Sequence, residues 1–210
     1  SAQLKGQYKK AIEFYKKALT YDPNSIISYY HLAQCYFALK EPQEASIYLK
    51  KFGHLFNGSY SQHRQLAYQF LSIGDIDSAI IQIKKALNCK DTCCDPSQRL
   101  NLKLLLGALY TQQGLYDKAL EIYYPLKSEL KAIELYISIA ELLVKKKALQ
   151  EALHELHEAN RIFKDEPILY DMFARIYFLK GELKGALEYT EKVVENKHTP
   201  VLIKIENYYR

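Results

Sequence analysis

The stretch GQYKKAIEFYKKALTYDP, residues 6–23, contains one amphipathic helix followed by a proline. Its apolar residues recur at helical spacing on one face, whereas lysines cover the opposite face. The helix is predicted to end at Asp22, because the residue before Pro23 is disfavoured in the α conformation. One such helix is ordinary, so the fold depends on whether the pattern recurs along the 210 residues.

The pattern recurs in three registers, each with spacings of 33 or 34 residues and a single spacing of 40. The first register is the alanine series Ala11, Ala45, Ala79, Ala119, Ala152 and Ala186. The second is a series of small residues, Ala33, Ala67, Gly107, Ala140 and Ala174. The third is Gly6, Lys40, Gly74, Gly114, Lys147 and Gly181. Because all three registers contain the same insertion at the same place, the chain is predicted to be a repeat protein.

Each period is predicted to form two helices that meet at a turn containing the third-register residue. Glycine suits this turn, because the chain often needs a positive φ angle at a helix C-terminus. The small residues of the other two registers would let the paired helices approach closely. Gly107 and Ala119 are predicted to form this seam in the fourth unit. Since a lone helix pair cannot bury its apolar face, the pairs are expected to stack.

The repeated frame resembles the tetratricopeptide repeat. The matching segments are Tyr29…Leu32-Ala33…Tyr36, Leu106-Gly107…Tyr110, Gly114-x-Tyr116…Ala119…Tyr123 and Ala18-Leu19…Pro23. The position of the family's tryptophan is occupied instead by Tyr29, His63, Lys103, Tyr136 and Tyr170. Lys40 and Lys147 replace the turn glycine in two units. The resemblance implies an all-α fold, a right-handed superhelical α-solenoid of stacked antiparallel helix pairs.

The predicted organisation is a single solenoid over residues 1–210. It comprises the second helix of a truncated repeat, five full repeats and a terminal helix, which makes about twelve helices. In chain order these segments are 1–23, 24–58, 59–98, 99–132, 133–166, 167–199 and 200–210.

Composition and cysteine placement indicate the environment. The formal charge of +5 arises from 29 Lys and Arg against 24 Asp and Glu, and it weakly favours an acidic partner. No run approaches the roughly 18 apolar residues of a membrane span. No signal peptide is evident, and the start at Ser1 is typical of an excised fragment. Three of the four cysteines crowd into residues 89–94, a poor disulfide framework, so the cytoplasm, or alternatively the nucleus, is predicted.

Two motifs resemble zinc-binding sites, but neither has the ligands that such a site requires. HELHE, residues 154–158, places its histidines three apart, whereas the zinc protease helix needs H-E-x-x-H; a solvated helix face is predicted. CKDTCC, residues 89–94, offers half of a zinc site without a second half, so an exposed loop with reactive thiols is predicted. No phosphate-binding or nucleophile motif occurs. The chain is predicted to have no catalytic residue, no metal ligand and no cofactor.

The resemblance implies that the first helix of each repeat lines a concave groove that receives a peptide or helix of a partner protein. Transferred to this sequence, the groove positions are Tyr30, His31, Gln34, Arg64, Gln65, Tyr68, Asn101, Glu141, Asp171 and Arg175. Aromatic side chains and arginine are the usual anchors of protein interfaces. The hypothesis is therefore a non-enzymatic scaffold or adaptor, a subunit of a larger assembly, that binds its partner in this groove.

The sequence disfavours two other classes of partner, chaperone tails and nucleic acids. The family's clamp for chaperone tails needs lysine, asparagine and arginine converging on carboxylates, and Tyr30, Gln65 and Leu105 stand at clamp positions, so such tails are disfavoured. The alternative function is RNA or nucleic-acid binding by a helical-repeat protein. The modest basicity without clustered arginines argues against it. The ends of a solenoid also offer surfaces for self-association.

Overall fold

The computed structural model describes residues 2–90 and 95–195. Within these residues the chain forms eleven α-helices and no strand, which confirms the predicted all-α class. The helices are α1 (Ala2–Tyr21), α2 (Ile26–Ala38), α3 (Pro42–Leu55), α4 (Tyr60–Ser72), α5 (Ile76–Asn88), α6 (Pro96–Gln112), α7 (Tyr116–Glu129), α8 (Ile133–Lys145), α9 (Leu149–Ile162), α10 (Pro167–Leu179) and α11 (Leu183–Glu195). The predicted terminal helix 200–210 lies outside the described residues.

The chain divides into two compact units, unit 1 (Ser1–Leu106) and unit 2 (Gly107–Arg210), with the boundary inside α6. In unit 1, α2 packs on α3 and α4 packs on α5, while α1 lies against α2. In unit 2, α8 packs on α9 and α10 packs on both α9 and α11. Each unit is thus built from the stacked helix pairs of a solenoid. The predicted repeat boundaries stay a prediction.

Five turns between the helices of a pair share one backbone geometry. The third-register residue has a positive φ angle in each, between 61° and 78°, at Lys40, Gly74, Gly114, Lys147 and Gly181. The N–H of Lys40 donates to the Phe37 carbonyl at 3.0 Å, and the next N–H donates to the Tyr36 carbonyl at 2.9 Å. The same pair of bonds closes the other four turns, a Schellman motif in every case. The turn therefore forms even where lysine replaces glycine, at a conformational cost of roughly 1–2 kcal/mol.

Two helices begin at residues other than those expected from the repeat pattern. Gly6 was expected at a turn, yet it lies inside α1, because the residues on both sides of it continue one helix. The predicted segment of the fourth unit begins at residue 99, yet its first helix, α6, begins at Pro96. Asp95 explains the earlier start, since its Oδ1 accepts a 3.1 Å hydrogen bond from the Ser97 N–H. Pro96 then suits the first helical position.

The predicted seam of small residues is confirmed in the fourth unit. Ala119 is fully buried, and Gly107 is buried opposite Tyr123. A Cβ added at Gly107 would lie 2.3 Å from Cε1 of Tyr123, so no larger residue fits without displacing the ring. Close approach of the paired helices therefore depends on the absence of a side chain at this position.

Candidate functional site

A pocket of about 340 Å³ opens in unit 1 between α2, α3 and α4, and is called the α2–α4 pocket. Its lining consists of Ile26, Ile27, Tyr30, His31, Phe52, Phe56, Gln62, Gln65, Leu66 and Gln69. Three residues predicted to bind a partner, Tyr30, His31 and Gln65, are among them. The structure thus brings together side chains from α2 and α4 that were expected to share a surface.

One wall of the α2–α4 pocket is a set of contacting rings. The Tyr30 ring centroid lies 5.2 Å from that of Phe52, which in turn stacks on Phe56 at 4.7 Å. His31 stacks on Tyr15 of α1 at 5.0 Å and meets Tyr30 edge-on at 5.6 Å. Because each ring is held by a neighbour, this aromatic wall presents apolar area without having to be ordered on binding.

A second wall of the pocket is a row of three glutamines on α4, called the glutamine row: Gln62, Gln65 and Gln69. Gln62 caps its own helix, since its Oε1 accepts a 2.9 Å hydrogen bond from the Ser59 N–H. The side-chain amides of Gln65 and Gln69 have no hydrogen-bond partner among the described residues. No Asp, Glu, Lys or Arg lines the pocket. The wall is therefore polar but uncharged.

The other predicted residues of unit 1 do not line the α2–α4 pocket. Arg64 is engaged within the protein: its Nη1 donates to Gln98 Oε1 at 2.7 Å, and its guanidinium lies 5.8 Å from the centroid of the Tyr60 ring. Tyr68 is half exposed on α4, Gln34 is half-buried on α2, and Asn101 is exposed on α6. Arg64 thus serves to hold α4 to α6.

Unit 2 has a pocket of different chemistry between α8 and α10, called the α8–α10 pocket, of about 240 Å³. Its lining consists of Glu141, Val144, Lys145, Met172, Arg175, Ile176 and Leu179. The predicted residues Glu141 and Arg175 both line it, whereas Asp171 does not. Arg175 Nη1 donates to Met172 Sδ at 3.3 Å. Charges of both signs therefore line this pocket.

Part of the chain matches a known family of helical repeats. A family model described as "Tetratricopeptide repeat" matches residues 2–66. The chain contains tetratricopeptide repeats. It is 28% identical over 181 residues to the TPR repeat-containing protein MJ1428 of Methanocaldococcus jannaschii, a match that covers 83% of this chain and 30% of that one.

This repeat protein is also similar to a second curated protein and to a solved structure. It is 34% identical over 118 residues to the BBSome complex member BBS4 of Bos taurus, which covers 56% of this chain and 21% of that protein. Its fold is similar to that of a structure of Naa15/Naa10 bound to HypK-THB, with a TM-score of 0.73 at 17% identity, covering 97% of this chain and 32% of that one. The repeat protein thus spans less than a third of both curated relatives. The repeats support a general role as a protein-interaction scaffold.

Sequence reasoning missed seven of the ten residues that line the α2–α4 pocket of the repeat protein. Phe52 lies in α3, a second helix, and Phe56 directly follows the end of α3, whereas only first helices were expected to contribute. Gln62 and Gln69 were also missed, although their spacing from Gln65 was a usable signal. Positions 62, 65 and 69 recur at i, i+3 and i+7, which places them on one face of α4. The contribution of α3 to the pocket had no such signal, because it depends on how one helix pair packs against the next.

The predicted solvated face of HELHE is wrong for Glu155 in the repeat protein. Glu155 is only 7% exposed, because Lys127 of α7 reaches it: Nζ donates to Glu155 Oε2 at 2.6 Å and to Glu158 Oε2 at 2.7 Å. Burial alone would lower the pKa of Lys127, but the two carboxylates raise it above its usual value. His154 and His157 are exposed. In the described parts of the chain, no group of three His, Cys, Asp or Glu could hold a metal ion.

The insertion and the cysteines are described in part. Cys89 was expected in an exposed loop, yet it is half-buried because its Sγ lies against the C-terminus of α5, 3.3 Å from the Lys85 carbonyl oxygen. Cys93 and Cys94 lie outside the described residues. Burial raises the pKa of the Cys35 thiol. Across residues 2–90 and 95–195, no helix is both long and apolar enough to cross a membrane.

Proposed function

We propose that this tetratricopeptide-repeat protein binds a peptide or helix of a partner protein in the α2–α4 pocket and acts as a non-enzymatic scaffold within a larger assembly. The observation that carries the proposal is the convergence of Tyr30, His31 and Gln65 on one pocket with Phe52 and Phe56. These side chains come from three helices and combine ring surface with amide groups. Such a combination suits a segment that has both apolar side chains and hydrogen-bonding groups.

The energetics of the aromatic wall support this proposal. Tyr30 keeps about a third of its surface exposed while its ring rests on Phe52, so it offers area to a partner without moving. Ile27 is 69% exposed at the mouth of the pocket, which leaves apolar surface for a partner to cover. Tyrosines in such settings are frequent energetic anchors of interfaces, and truncating one costs roughly 2 kcal/mol or more.

The wider parts of the proposal rest on the relatives. Proteins of this family and fold are typically non-enzymatic scaffolds. The relative from Bos taurus is named as a member of the BBSome complex, which supports a role within an assembly. The cytoplasm remains the proposed compartment, and chaperone tails and nucleic acids remain disfavoured as partners. Self-association through the ends of the solenoid remains a prediction.

The test is quantitative affinity capture from a lysate of the source cells, comparing the wild-type protein with Tyr30→Ala. Proteins that bind the α2–α4 pocket should be depleted at least tenfold with Tyr30→Ala, since about 1.4 kcal/mol corresponds to a factor of ten. The matched control is Tyr21→Ala, because Tyr21 is 80% exposed on α1 and does not line the pocket. Circular dichroism should show equal helicity for all three proteins.

The outcome against the proposal is equally defined. If Tyr30→Ala retains every captured protein, the α2–α4 pocket is not the interface. A parallel Tyr68→Ala variant asks whether the interface extends along α4 beyond the pocket, as the groove hypothesis predicts. Loss of capture with Tyr21→Ala alone would move the interface to α1.

A further inference from the structure

We infer that the α2–α4 pocket recognises an uncharged peptide segment in extended conformation that inserts one large aliphatic or aromatic side chain. This inference rests on the proposed function and narrows it to a class of ligand. It follows from three properties of the pocket: its lack of charge, its size, and the spacing of the amides in the glutamine row.

The lack of charge sets the composition of the segment. No Asp, Glu, Lys or Arg side chain lines the α2–α4 pocket, whereas the α8–α10 pocket contains Glu141, Lys145 and Arg175. A charged ligand group placed against the aromatic wall would lose its hydration without finding an opposite charge. A neutral apolar side chain loses nothing comparable and covers the exposed surface of Ile27 and Tyr30. The inserted residue is therefore neutral and apolar.

The size of the pocket limits what it can hold. At about 340 Å³ it lies at the small end of the range of ligand pockets, roughly 300–1,000 Å³. This space accommodates one large side chain together with a short length of flanking backbone. It does not suit the whole apolar face of a helix, which presents several anchors over successive turns.

The spacing of the glutamine row favours an extended backbone. Gln65 and Gln69 are four residues apart on α4, a rise of about 6.0 Å along the helix axis. Two residues of an extended chain span about 6.6 Å, so the two amides match the backbone groups of alternate residues. Each amide offers two donors and an acceptor, which complement a peptide N–H and C=O.

A helical ligand could not form backbone hydrogen bonds with the side-chain amides of Gln65 and Gln69. The backbone groups of a helix are bonded within the helix, so only its side chains could reach Gln65 and Gln69. Gln62 differs from these two because its Oε1 already accepts from the Ser59 N–H, which leaves only its NH₂ group for a ligand. The recognition of backbone is therefore assigned to Gln65 and Gln69.

The test selects a phage-displayed library of random peptides on the wild-type chain and synthesises the enriched sequences. Their affinities are measured by fluorescence anisotropy for the wild type, Gln65→Ala, Gln69→Ala and Tyr30→Ala. The matched control is Gln43→Ala, because Gln43 is an exposed glutamine of α3 that does not line the pocket. In a second series, each peptide bond of the best ligand is N-methylated in turn, which removes one backbone donor at a time.

The expected peptides share one large apolar residue with uncharged neighbours. Each glutamine variant should weaken binding roughly three- to tenfold, the equivalent of one net hydrogen bond, while Gln43→Ala binds like wild type. N-methylation should weaken binding at alternate residues and leave the intervening residues unaffected. This alternation is expected only if the ligand lies extended along the glutamine row.

The contrary outcomes separate this inference from the proposed function. Enriched peptides that are helical or charged, and that depend on Tyr30 but not on Gln65 or Gln69, would overturn the inference and leave the proposed function standing. If no enriched peptide depends on Tyr30, Gln65 or Gln69, both are wrong.

Discussion

Units 1 and 2 place a buried polar contact at the same register of the repeat, with different partners. In unit 1, Gln82 Nε2 of α5 donates to the Gly53 carbonyl of α3 at 3.0 Å. In unit 2, Glu155 of α9 accepts from Lys127 Nζ of α7 at 2.6 Å. Gln82 and Glu155 each follow the first-register alanine of their helix by three residues, and Gly53 and Lys127 follow theirs by eight. The two contacts therefore lie at equivalent positions of the repeat, but the donor and the acceptor are exchanged between the two helices.

The equivalence extends to the next helical turn. Lys85 donates a second bond to the Gly53 carbonyl at 3.0 Å, whereas Glu158, its counterpart in unit 2, accepts a second bond from Lys127 at 2.7 Å. In unit 1 the helix that carries the polar groups supplies the donors. In unit 2 it supplies the acceptors.

The aromatic ring beside each polar contact also differs between the two units. His63 and Tyr136 occupy the position where the family has tryptophan. His63 Nε2 accepts from the Gly58 N–H at 3.1 Å, so its Nδ1 carries the proton and donates to Gln82 Oε1 at 2.9 Å. Tyr136 instead places its ring 4.6 Å from Lys127 Nζ, a cation–π contact. Each ring thus complements the polarity of its own unit.

In these two units the repeat determines where a buried polar contact forms, but not which helix supplies the donor and which the acceptor. Gly53 leaves its carbonyl open to Gln82, and a Cβ there would lie 2.9 Å from Gln82 Nε2. At the equivalent position in unit 2, the long side chain of Lys127 reaches two carboxylates, those of Glu155 and Glu158. The expected cost of breaking the contact differs, because the contact in unit 2 contains a buried charge.

The largest effect is expected from Lys127→Met. This change leaves Glu155, whose side chain is 9% exposed, buried without a counter-charge. The free energy of unfolding should fall by about 3–5 kcal/mol in urea denaturation at neutral pH. The double variant Lys127→Met with Glu155→Leu should recover most of the loss, since it removes the uncompensated charge.

The matched control for this prediction is Lys131→Met, because Lys131 is exposed just beyond the end of α7. It should unfold like wild type. A loss with Lys127→Met no larger than that of Lys131→Met would mean that the contact in unit 2 contributes nothing beyond a surface ion pair, and the contrast between the units would disappear.

A smaller effect is expected when the chemistry of unit 2 is introduced into unit 1. Gln82→Glu replaces the donor that bonds the Gly53 carbonyl with a second acceptor. Lys85 lies close enough to offset part of the repulsion, since it already reaches the same carbonyl. The free energy of unfolding should fall by about 1–3 kcal/mol in urea denaturation. A gain in stability would show that unit 1 tolerates either polarity equally well.

The smallest effect concerns the start of α5 and α9. Asp75 caps α5, accepting from the Ser78 N–H at 3.2 Å and from Lys50 Nζ at 2.9 Å, whereas the equivalent Ala148 of α9 makes no side-chain cap. Asp75→Ala should cost about 1 kcal/mol in thermal or urea unfolding, and Ala148→Asp should stabilise by less than that. If Asp75→Ala unfolds like wild type, the cap makes no contribution.

The cap of α5 also predicts a pH dependence. Burial alone would raise the pKa of Asp75, but the bonds from Lys50 and Ser78 hold it below its usual value. A lowered pKa in the folded protein contributes stability above the ordinary Asp pKa of about 3.9, and the contribution is lost as the pH falls through and below that value. The stability difference between wild type and Asp75→Ala should therefore shrink below about pH 4.

The repeat pattern predicted the helix pairs and their turns, but few of the side-chain contacts between repeats. Local spacing was enough for the helix pairs and for the turns at Lys40 and Lys147, because the Schellman geometry recurs with the period. Glu155 was placed on the wrong face, since its burial depends on a lysine 28 residues earlier. The ring of Phe52 in the α2–α4 pocket likewise depends on how α3 packs beside α4. Contacts between repeats are not encoded in the period of one repeat.

The most direct test of the central claim is photo-crosslinking of the partner from within the α2–α4 pocket. A photoreactive benzoylphenylalanine is introduced at Gln69, which lines the pocket, and separately at Lys51, an exposed residue of α3 that does not. After irradiation in the source cells, a crosslinked protein is expected from position 69 and none from position 51. Crosslinks from position 51 with none from position 69 would contradict the claim that partners bind in this pocket.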